Sequence, residues 1–122
     1  MSVDAIAQEY VMYVEQGRFG ELLERLYAPE AVSVEAAAMP GSERAAHGLE
    51  ALRAKSQGFE AEHEVTRGEV RGVWPHGDDK FAVHMVFEMV HTPTQHRRVM
   101  DEIAVMTVQG GKIIKEEFFY KS

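Results

Sequence analysis

The sequence predicts an α+β domain in which helices come first and a curved antiparallel sheet then wraps around an apolar pocket. Two observations predict this fold. Hydrophobic residues recur at helical spacing through the first half of the chain, and from Glu64 onward their period changes to two. Helices that precede strands, rather than alternate with them, are typical of α+β domains. The 122 residues can close one core and contain no linker or repeat, so we expect a single domain over 1–122.

Two short helices are expected at the start of the chain. The first runs from about Asp4 to Gln16, with Ser2 or Asp4 as its N-terminal cap and Gly17 at a left-handed C-terminal end. The second carries one apolar stripe, and Pro29 should end it. The stripe consists of Phe19, Leu22, Leu23 and Leu26.

A short β-branched segment at 31–35 predicts a strand, and the region from 36 to 47 is expected to be a loop because it contains Pro40, Gly41 and Ser42. A third helix follows at about 48–62. Four further strands are predicted at about 64–74, 80–91, 97–108 and 112–120. Short turns between them indicate an antiparallel meander.

Side-chain alternation predicts which residues face the pocket. On the strand at 80–91 the apolar set is Phe81, Val83, Met85, Phe87 and Met89. On the last strand, the pocket wall is expected to consist of Ile114, Glu116, Phe118 and Tyr120. If Met106 pairs with Ile114, then Glu102 and Glu116 are diagonal neighbours on that surface, and a slip of one residue would invert the arrangement.

The strand at 97–108 is apolar on both faces, which indicates packing on each side. We expect a helix layer or pocket on one side and a second copy of the chain on the other. The predicted homodimer contact consists of Val86, Val99, Ile103 and Val105.

Composition excludes several classes of function. The formal net charge is −7, which argues against nucleic-acid binding, because that binding depends on clustered Lys and Arg. No segment is long and apolar enough to span a membrane, and the N-terminus does not resemble a secretory signal. The chain has no Cys, which excludes disulfides and thiolate metal sites and suits the cytoplasm.

Three segments resemble the SnoaL-like and ketosteroid isomerase-like members of the nuclear transport factor 2-like superfamily. They are EYVMYVEQGRFGELLERLYAPEAVSVE, HGLEAL and VMDEIAVMTVQGGKIIKEEFFY, in an order and spacing that covers nearly the whole chain. The resemblance implies a cystatin-like cone of curved sheet closed by three helices, often dimeric through the outer face of the sheet.

The resemblance also implies site residues. The carboxylate base of ketosteroid isomerases falls on Glu35 and their helix-borne tyrosine on Tyr10, whereas their second acid falls on Ala104. Ala104 cannot donate a hydrogen bond, and losing one such donor typically raises a barrier by about 3 kcal/mol. Steroid isomerisation is therefore not expected. Glu102, one step away on the same predicted face, is a candidate replacement.

Each candidate also has a plain structural interpretation. Glu35 is either a pocket base with a raised pKa or a surface acid, and Tyr10 is either a ligand contact or a core residue. Glu102 and Glu116 are either an acid/base pair or members of ion pairs with Arg53, Lys55 or an N-terminal side chain.

The remaining candidates are lining residues. Core packing is the simpler interpretation of the apolar ones, and His63 at the end of the third helix could reach the pocket mouth. Beside Glu116, the predicted substrate-binding residues are Phe118, Tyr120, Met85, Phe87, Met100 and His63. The six His lack the spacing of a zinc site, and no cofactor motif is present, so we expect neither metal nor cofactor.

Two functions fit this pattern. The first is a cofactor-independent isomerase or (de)hydratase in which pocket carboxylates move protons on an apolar small molecule. The second is a non-catalytic ligand-binding or dimerisation module. An enclosed cavity with at least two converging acids would favour the enzyme, and a filled cavity with ion-paired acids would favour the module.

Overall fold

Three helices and a six-stranded mixed sheet form the fold, which a computed structural model describes over residues 2–38, 41 and 43–121. The sheet order is β2-β1-β6-β5-β4-β3, with β1 parallel to β6 and every other neighbouring pair antiparallel. The predicted α+β class is confirmed, and the sheet stays open. The elements are α1 (Val3–Glu15), α2 (Phe19–Leu26), β1 (Tyr27–Val34), β2 (Ala45–His47), α3 (Leu49–Glu62), β3 (His63–His76), β4 (Lys80–His91), β5 (His96–Gln109) and β6 (Lys112–Phe119).

The ends of α1 are those expected from its capping residues. The Ser2 hydroxyl accepts a hydrogen bond from the Ala5 amide at 3.2 Å, which satisfies one of the free amides of the first turn. Gly17 has a φ of 70° and reverses the chain toward α2. One face of α1 lies in the core, with Val3, Ile6, Ala7, Tyr10, Tyr13 and Val14 all buried.

The prediction that Pro29 ends the second helix is wrong. Helix α2 already stops at Leu26, and Pro29 lies exposed within β1, which begins at Tyr27 rather than near residue 31. The pairing of β1 with β6 is irregular between Tyr27 and Val32, and Pro29 lies within that irregular stretch. Proline is tolerated at such a point because it has no amide hydrogen to donate to a neighbouring strand.

The predicted loop at 36–47 contains a strand that sequence periodicity missed. Ala45–His47 pairs antiparallel with β1, with Val34 opposite Ala45. Three residues are too few for a period of two to be recognised. Pro40 and Ser42 of that loop lie outside the described residues.

The inner face of the sheet and the helices share one core. The alternation predicted for β4 is confirmed, because Phe81, Val83, Met85, Phe87 and Met89 are all buried. Ala104 and Met106 of β5 and Ile113 of β6 complete this face, and each is fully buried.

The predicted register of the last hairpin is wrong. Met106 pairs with Glu116 rather than with Ile114, and Val108 pairs with Ile113, which leaves Ile114 as an extra residue in a β-bulge. The bulge switches the side of β6 that faces the core. Ile113 is therefore buried in place of Ile114, while Glu116 keeps its predicted inward position. Glu102 and Glu116 are consequently not diagonal neighbours.

The outer face of the sheet carries exposed apolar side chains. Val99 is 65% exposed, Phe119 55% and Ile103 43%, whereas Val86 is buried. Trp74, also 55% exposed, covers Gly72, where a Cβ would lie only 2.3 Å from its ring. Because Gly72 has no side chain, the indole of Trp74 can lie over the backbone of β3 at that position.

Hydropathy gives one further result about the helices. None of the helices in the described part of the chain is both long enough and apolar enough to cross a lipid bilayer. Helix α3, at 14 residues, is the longest of the three. A membrane-spanning helix needs about 20 predominantly apolar residues.

Two glycines that have open space around their Cα atoms form a matched pair for a stability test. Gly17 has a φ of 70° and Gly20 lies in α2, and neither would bring a new Cβ within 4 Å of other atoms. We expect Gly17→Ala to destabilise the fold by about 1 kcal/mol, because a Cβ disfavours the left-handed conformation. Gly20→Ala should stabilise it by up to about 1 kcal/mol through helix propensity. Urea unfolding measures both, and equal effects would contradict the backbone assignment at Gly17.

Candidate functional site

Glu116 of β6 is one of the two most enclosed acids of the candidate site. It is 7% exposed and accepts a hydrogen bond from the Tyr27 hydroxyl. The parallel pairing of β1 with β6 places Ser33 directly beside it. Burial raises the pKa of Glu116, while hydrogen bonds from Ser33 and Tyr27 act in the opposite direction. Buried acids need such donors because their ionised form has lost its water.

Tyr10 and Tyr27 form the buried end of this group. Both are less than 5% exposed, and the Tyr10 ring packs edge-on against Phe81 at 5.7 Å. The Tyr10 hydroxyl donates to the Met85 sulfur at 3.9 Å. Burial, and secondly the negative charge of Glu116, raise the pKa values of both phenols well above their usual value. The two hydroxyls are therefore neutral hydrogen-bond donors at physiological pH.

Glu35 lies nearer the surface, just after β1, and is held from two sides. The Lys55 ammonium from α3 forms an ion pair with it, and the Tyr120 hydroxyl donates to its Oε2 at 2.8 Å. Lys55 also donates to the Ser33 hydroxyl at 2.8 Å and lies 5.1 Å from the centre of the Phe118 ring. Partial burial, and secondly the bond to Glu35, raise the pKa of Tyr120 to about 12.

Glu102 of β5 has no partner of this kind. It is 7% exposed, and among the described residues no hydrogen bond or ion pair reaches its carboxyl group. Burial, then the charges of Glu35 and Glu116, raise its pKa to about 7, against a smaller opposing effect of Lys55. Glu102 therefore exchanges its proton near neutral pH.

The three predicted acids thus come together around one ammonium group but in different states. Glu35 is ion-paired, Glu116 is hydrogen-bonded within the core, and Glu102 is unpartnered. Neighbouring carboxyls with different environments can divide the roles of base and acid between them. The arrangement can accept a proton at one position and donate a hydrogen bond at another.

The predicted apolar lining lies around this group to different depths. Met85 is opposite Glu102 in the β4–β5 ladder, and Phe87 is opposite Met100 one step further on the same face. Met85 and Phe87 are buried, whereas Met100 and Phe118 are half-buried and pack against the core.

His63 does not join the acids. Its ring stacks on Phe59 at 4.1 Å and its Nδ1 lies 3.0 Å from the Phe59 carbonyl oxygen, a geometry that suits an Nδ1–H donor. In the sheet His63 is opposite His91, six residues along β4 from the position that faces Glu102. Six residues correspond to about 20 Å of strand.

Two surface hollows lie away from Glu35, Glu102 and Glu116. One of about 310 Å³ lies at the β3–β5 end of the sheet and includes Thr66, Arg97 and Val99. One of about 450 Å³ lies beside the β5–β6 turn and includes Glu9, Arg25 and Lys112. The acids line neither hollow. Among the described residues, no group of three or more His, Asp or Glu side chains has the geometry of a metal site.

Comparison with known proteins identifies the family. The family model described as a SnoaL-like domain matches residues 1–120. A protein of solved structure from Mesorhizobium loti, provisionally named a SnoaL-like polyketide cyclase, is 38% identical, with 98% of this chain and 100% of that chain covered and a TM-score of 0.88. The chain belongs to the SnoaL-like domain family. None of the curated proteins matches its sequence.

More distant structures share only the fold of this SnoaL-like domain. A protein from Catenulispora acidiphila with a ketosteroid isomerase-like fold, solved with trimethylamine, has a TM-score of 0.75 at 14% identity, over 95% of this chain and 85% of its own. A protein from Xanthomonas campestris with a cystatin-like fold has a TM-score of 0.79 at 14% identity, over 100% and 92%. The predicted cystatin-like, ketosteroid isomerase-like fold is confirmed.

Three residues of the SnoaL-like site were not singled out from the sequence. Tyr27 is not found by the sequence analysis because the strand is expected to start only near residue 31. Ser33 could have been found, since alternation puts it on the same buried face as Ala31. Lys55 was considered only as one of several partners for Glu102 and Glu116. Its contact with Glu35 depends on how α3 lies on β1, which helical periodicity does not determine.

The protonation of Glu102 predicts a pH-dependent stability. A carboxyl whose pKa rises on folding from 4.5 to about 7 binds more protons when folded, so the stability it contributes is present at low pH and is lost as pH rises between these values. The full loss is about 3 kcal/mol. We expect Glu102→Gln to remove it, so that the variant is more stable than the parent at pH 8 but not at pH 4.5.

Urea unfolding from pH 4.5 to 8 measures this difference. Glu60→Gln, an exposed position on α3, provides a matched control that should follow the parent at every pH. A parental pH dependence that persists in Glu102→Gln would show that Glu102 is not the group responsible.

Proposed function

We propose that this SnoaL-like protein transfers protons on a small, uncharged, apolar carbonyl compound, as an isomerase or (de)hydratase that needs no cofactor. The observation that carries the proposal is the pairing state of two neighbouring acids. Glu102 is 7% exposed and has no hydrogen-bond or ion-pair partner among the described residues, whereas Glu35, whose charge acts on it, is ion-paired. We also propose that the protein is cytoplasmic, as expected from its lack of cysteine.

Glu35 is the base in this proposal. Its pairing with Lys55 and the hydrogen bond from Tyr120 both stabilise a carboxylate, which can accept a proton from the carbon next to a carbonyl group. It is also the most accessible of the three acids, since its side chain is 24% exposed. A substrate entering the cone would therefore meet it first.

Glu102 is the acid. In its protonated form it can donate a hydrogen bond to the carbonyl oxygen, where negative charge develops as Glu35 takes the proton. The proton then returns from Glu35 to another carbon, which completes an isomerisation with no net change in atoms. The next inward residue along β5 is Ala104, which has no acidic group. Glu102 is therefore the inward-facing acid of that strand.

Charge balance supports an uncharged substrate. The charges of Glu35 and Lys55 offset each other, and Glu102 is largely neutral below its pKa of about 7. An anionic substrate would be repelled whenever Glu102 or Glu116 is ionised. The half-buried Phe118 and Met100 supply apolar contacts.

A specific observation favours the second candidate function, a non-catalytic binding module. Glu35 is already ion-paired, and the acids line neither of the two surface hollows. Under this alternative, ionised Glu102 would hold a small amine in the cone. The Catenulispora acidiphila protein of this fold was solved with trimethylamine, a molecule of that kind.

Proton exchange at carbon distinguishes the two functions. Uncharged ketones and β-keto esters are incubated with the protein in D2O, and loss of their α-protons is followed by NMR. We expect the parent to accelerate exchange of at least one compound, and Glu35→Gln to lower that rate by about 10²–10⁴-fold because the base is lost. Glu102→Ala should lower it by about 10²–10³-fold.

The matched control for this experiment is Glu60→Gln, an exposed acid of α3 that should leave the rate unchanged. Binding of trimethylammonium without any exchange of the carbonyl probes would favour the module. Exchange that survives in Glu35→Gln would contradict the role of Glu35 as base.

The outer sheet face is the proposed homodimer contact. Val99, Ile103 and Phe119 are exposed apolar side chains on this face, and a second copy could cover them by two-fold symmetry. We expect sedimentation to give a dimer at micromolar concentration and Ile103→Glu to convert it to a monomer. Met12→Glu, at a 38% exposed apolar position on α1, should leave the dimer intact. A monomeric parent would contradict the contact.

A further inference from the structure

Lys55 on helix α3 contacts three side chains of the candidate site. Its ammonium pairs with the Glu35 carboxylate, donates to Ser33 and lies over the Phe118 ring. Its side chain is 35% exposed, so Lys55 is only partly buried. A lysine gives up hydration in this way only where other groups replace it.

Other nearby cations are engaged elsewhere. The guanidinium of Arg53, two residues earlier on α3, pairs with Glu24 on α2. The Arg44 guanidinium donates to the backbone oxygen of Glu35 rather than to its carboxylate. Within the described residues, Lys55 is the cation whose charge acts on both Glu102 and Glu116.

The Lys55 ammonium has three N–H donors, and its position decides which carboxyl groups it contacts. It contacts Glu35 and the Ser33 hydroxyl. The bond to Ser33 ties the Lys55 ammonium to β1, on the side of the cone where Glu35 lies. Glu102 on β5 is separated from β1 by the whole of β6. Glu102 therefore experiences the lysine charge at a distance and without a hydrogen bond.

We propose that Lys55 is a positioning residue: its ion pair holds Glu35 as the ionised acid, and its charge eases release of the proton that the neighbouring Glu102 carries to the ligand. The inference rests on the proposed function, since it explains how one cluster of acids supplies both a base and a proton donor. Lys55 acts through the carboxyl groups and does not itself meet the reacting atoms.

The proposal can be tested on the unliganded protein. All glutamates are labelled at their side-chain carboxyl carbon with ¹³C, and the Glu102 signal is identified from its absence in Glu102→Gln. Its titration is then compared between the parent and Lys55→Met, which keeps most of the aliphatic stem and removes the charge. The groups that face Glu102 are Glu35 at the end of β1, Glu116 on β6, Lys55 on α3, Tyr10 on α1 and Tyr120 after β6.

In the parent, the midpoint of the Glu102 titration should lie near the pKa of about 7. In Lys55→Met it should move to higher pH by about 1 pH unit, because a positive charge in a partly buried site has been lost. Lys55→Arg keeps the charge and should return the midpoint most of the way toward the parental value.

Lys80→Met is the matched control. Lys80 also lies near one carboxylate and one hydroxyl, Asp79 at 3.8 Å and Thr107 at 3.4 Å, but faces none of the three acids. Its loss should leave the Glu102 midpoint unchanged. Glu35→Gln provides an independent measurement should Lys55→Met not fold, because removing the Glu35 charge should lower the Glu102 midpoint.

The outcomes separate this inference from the proposed function. An unchanged Glu102 midpoint in a folded Lys55→Met protein, or an equal change in Lys80→Met, overturns the role of Lys55. If Lys55→Met does not fold, an unchanged midpoint in Glu35→Gln overturns it. A parental midpoint near the ordinary value of 4.5 instead overturns the role of Glu102 as acid, even if the variants still differ.

Discussion

The loss of water from carboxyl groups on an apolar sheet face is the constraint on which the site depends. Glu102 and Glu116 each keep only 7% of their exposed surface, yet each could carry a full charge. A buried charge must find hydrogen bonds or a counter-charge, or take up a proton. Hydrogen bonds from Tyr27 and Ser33 reach Glu116, whereas among the described residues none reaches Glu102. Burial raises the pKa of both acids, that of Glu102 to about 7.

The topology determines how these needs are met. Because β1 lies parallel to β6, Ser33 comes to lie beside Glu116 rather than at a sheet edge. Helix α3 crosses the same strand and brings Lys55 to Glu35. The hydroxyl of Ser33 thus connects the buried part of the group to the ammonium at its solvent side. Protonation at one acid is consequently felt at the others, as their mutual effects on pKa show.

Sequence periodicity could predict most of the fold because its signals are local. Helical spacing in α1 and strict alternation in β4 each depend on one element burying one face. The bulge at Ile114 is not local in this sense, because it becomes visible only when β5 and β6 are paired. The inward direction of Glu116 was nevertheless predicted correctly. The bulge at Ile114 precedes Glu116 along β6, so it changes the inward or outward direction only of Ile113 and Ile114.

The site could be predicted only in part for a related reason. The inward direction of Glu102 and Glu116 follows from alternation along their own strands. The partners of those acids depend on contacts between elements distant in sequence, such as Tyr27 with Glu116 and Lys55 with Glu35. No pattern within a single element contains that information. The resemblance to a known family pointed to Glu35 but not to Lys55, whose contact with Glu35 depends on how α3 packs on β1.

The position of Trp74 has a practical consequence. It is the only tryptophan of the chain, and its ring lies over Gly72 on the outer side of the sheet, away from the acids. Indole emission depends on the polarity around the ring, so this protein has an intrinsic optical reporter of whatever covers that surface. Because the ring lies away from the acids, a change in its emission would report association at the outer face rather than capture of a small molecule near the acids.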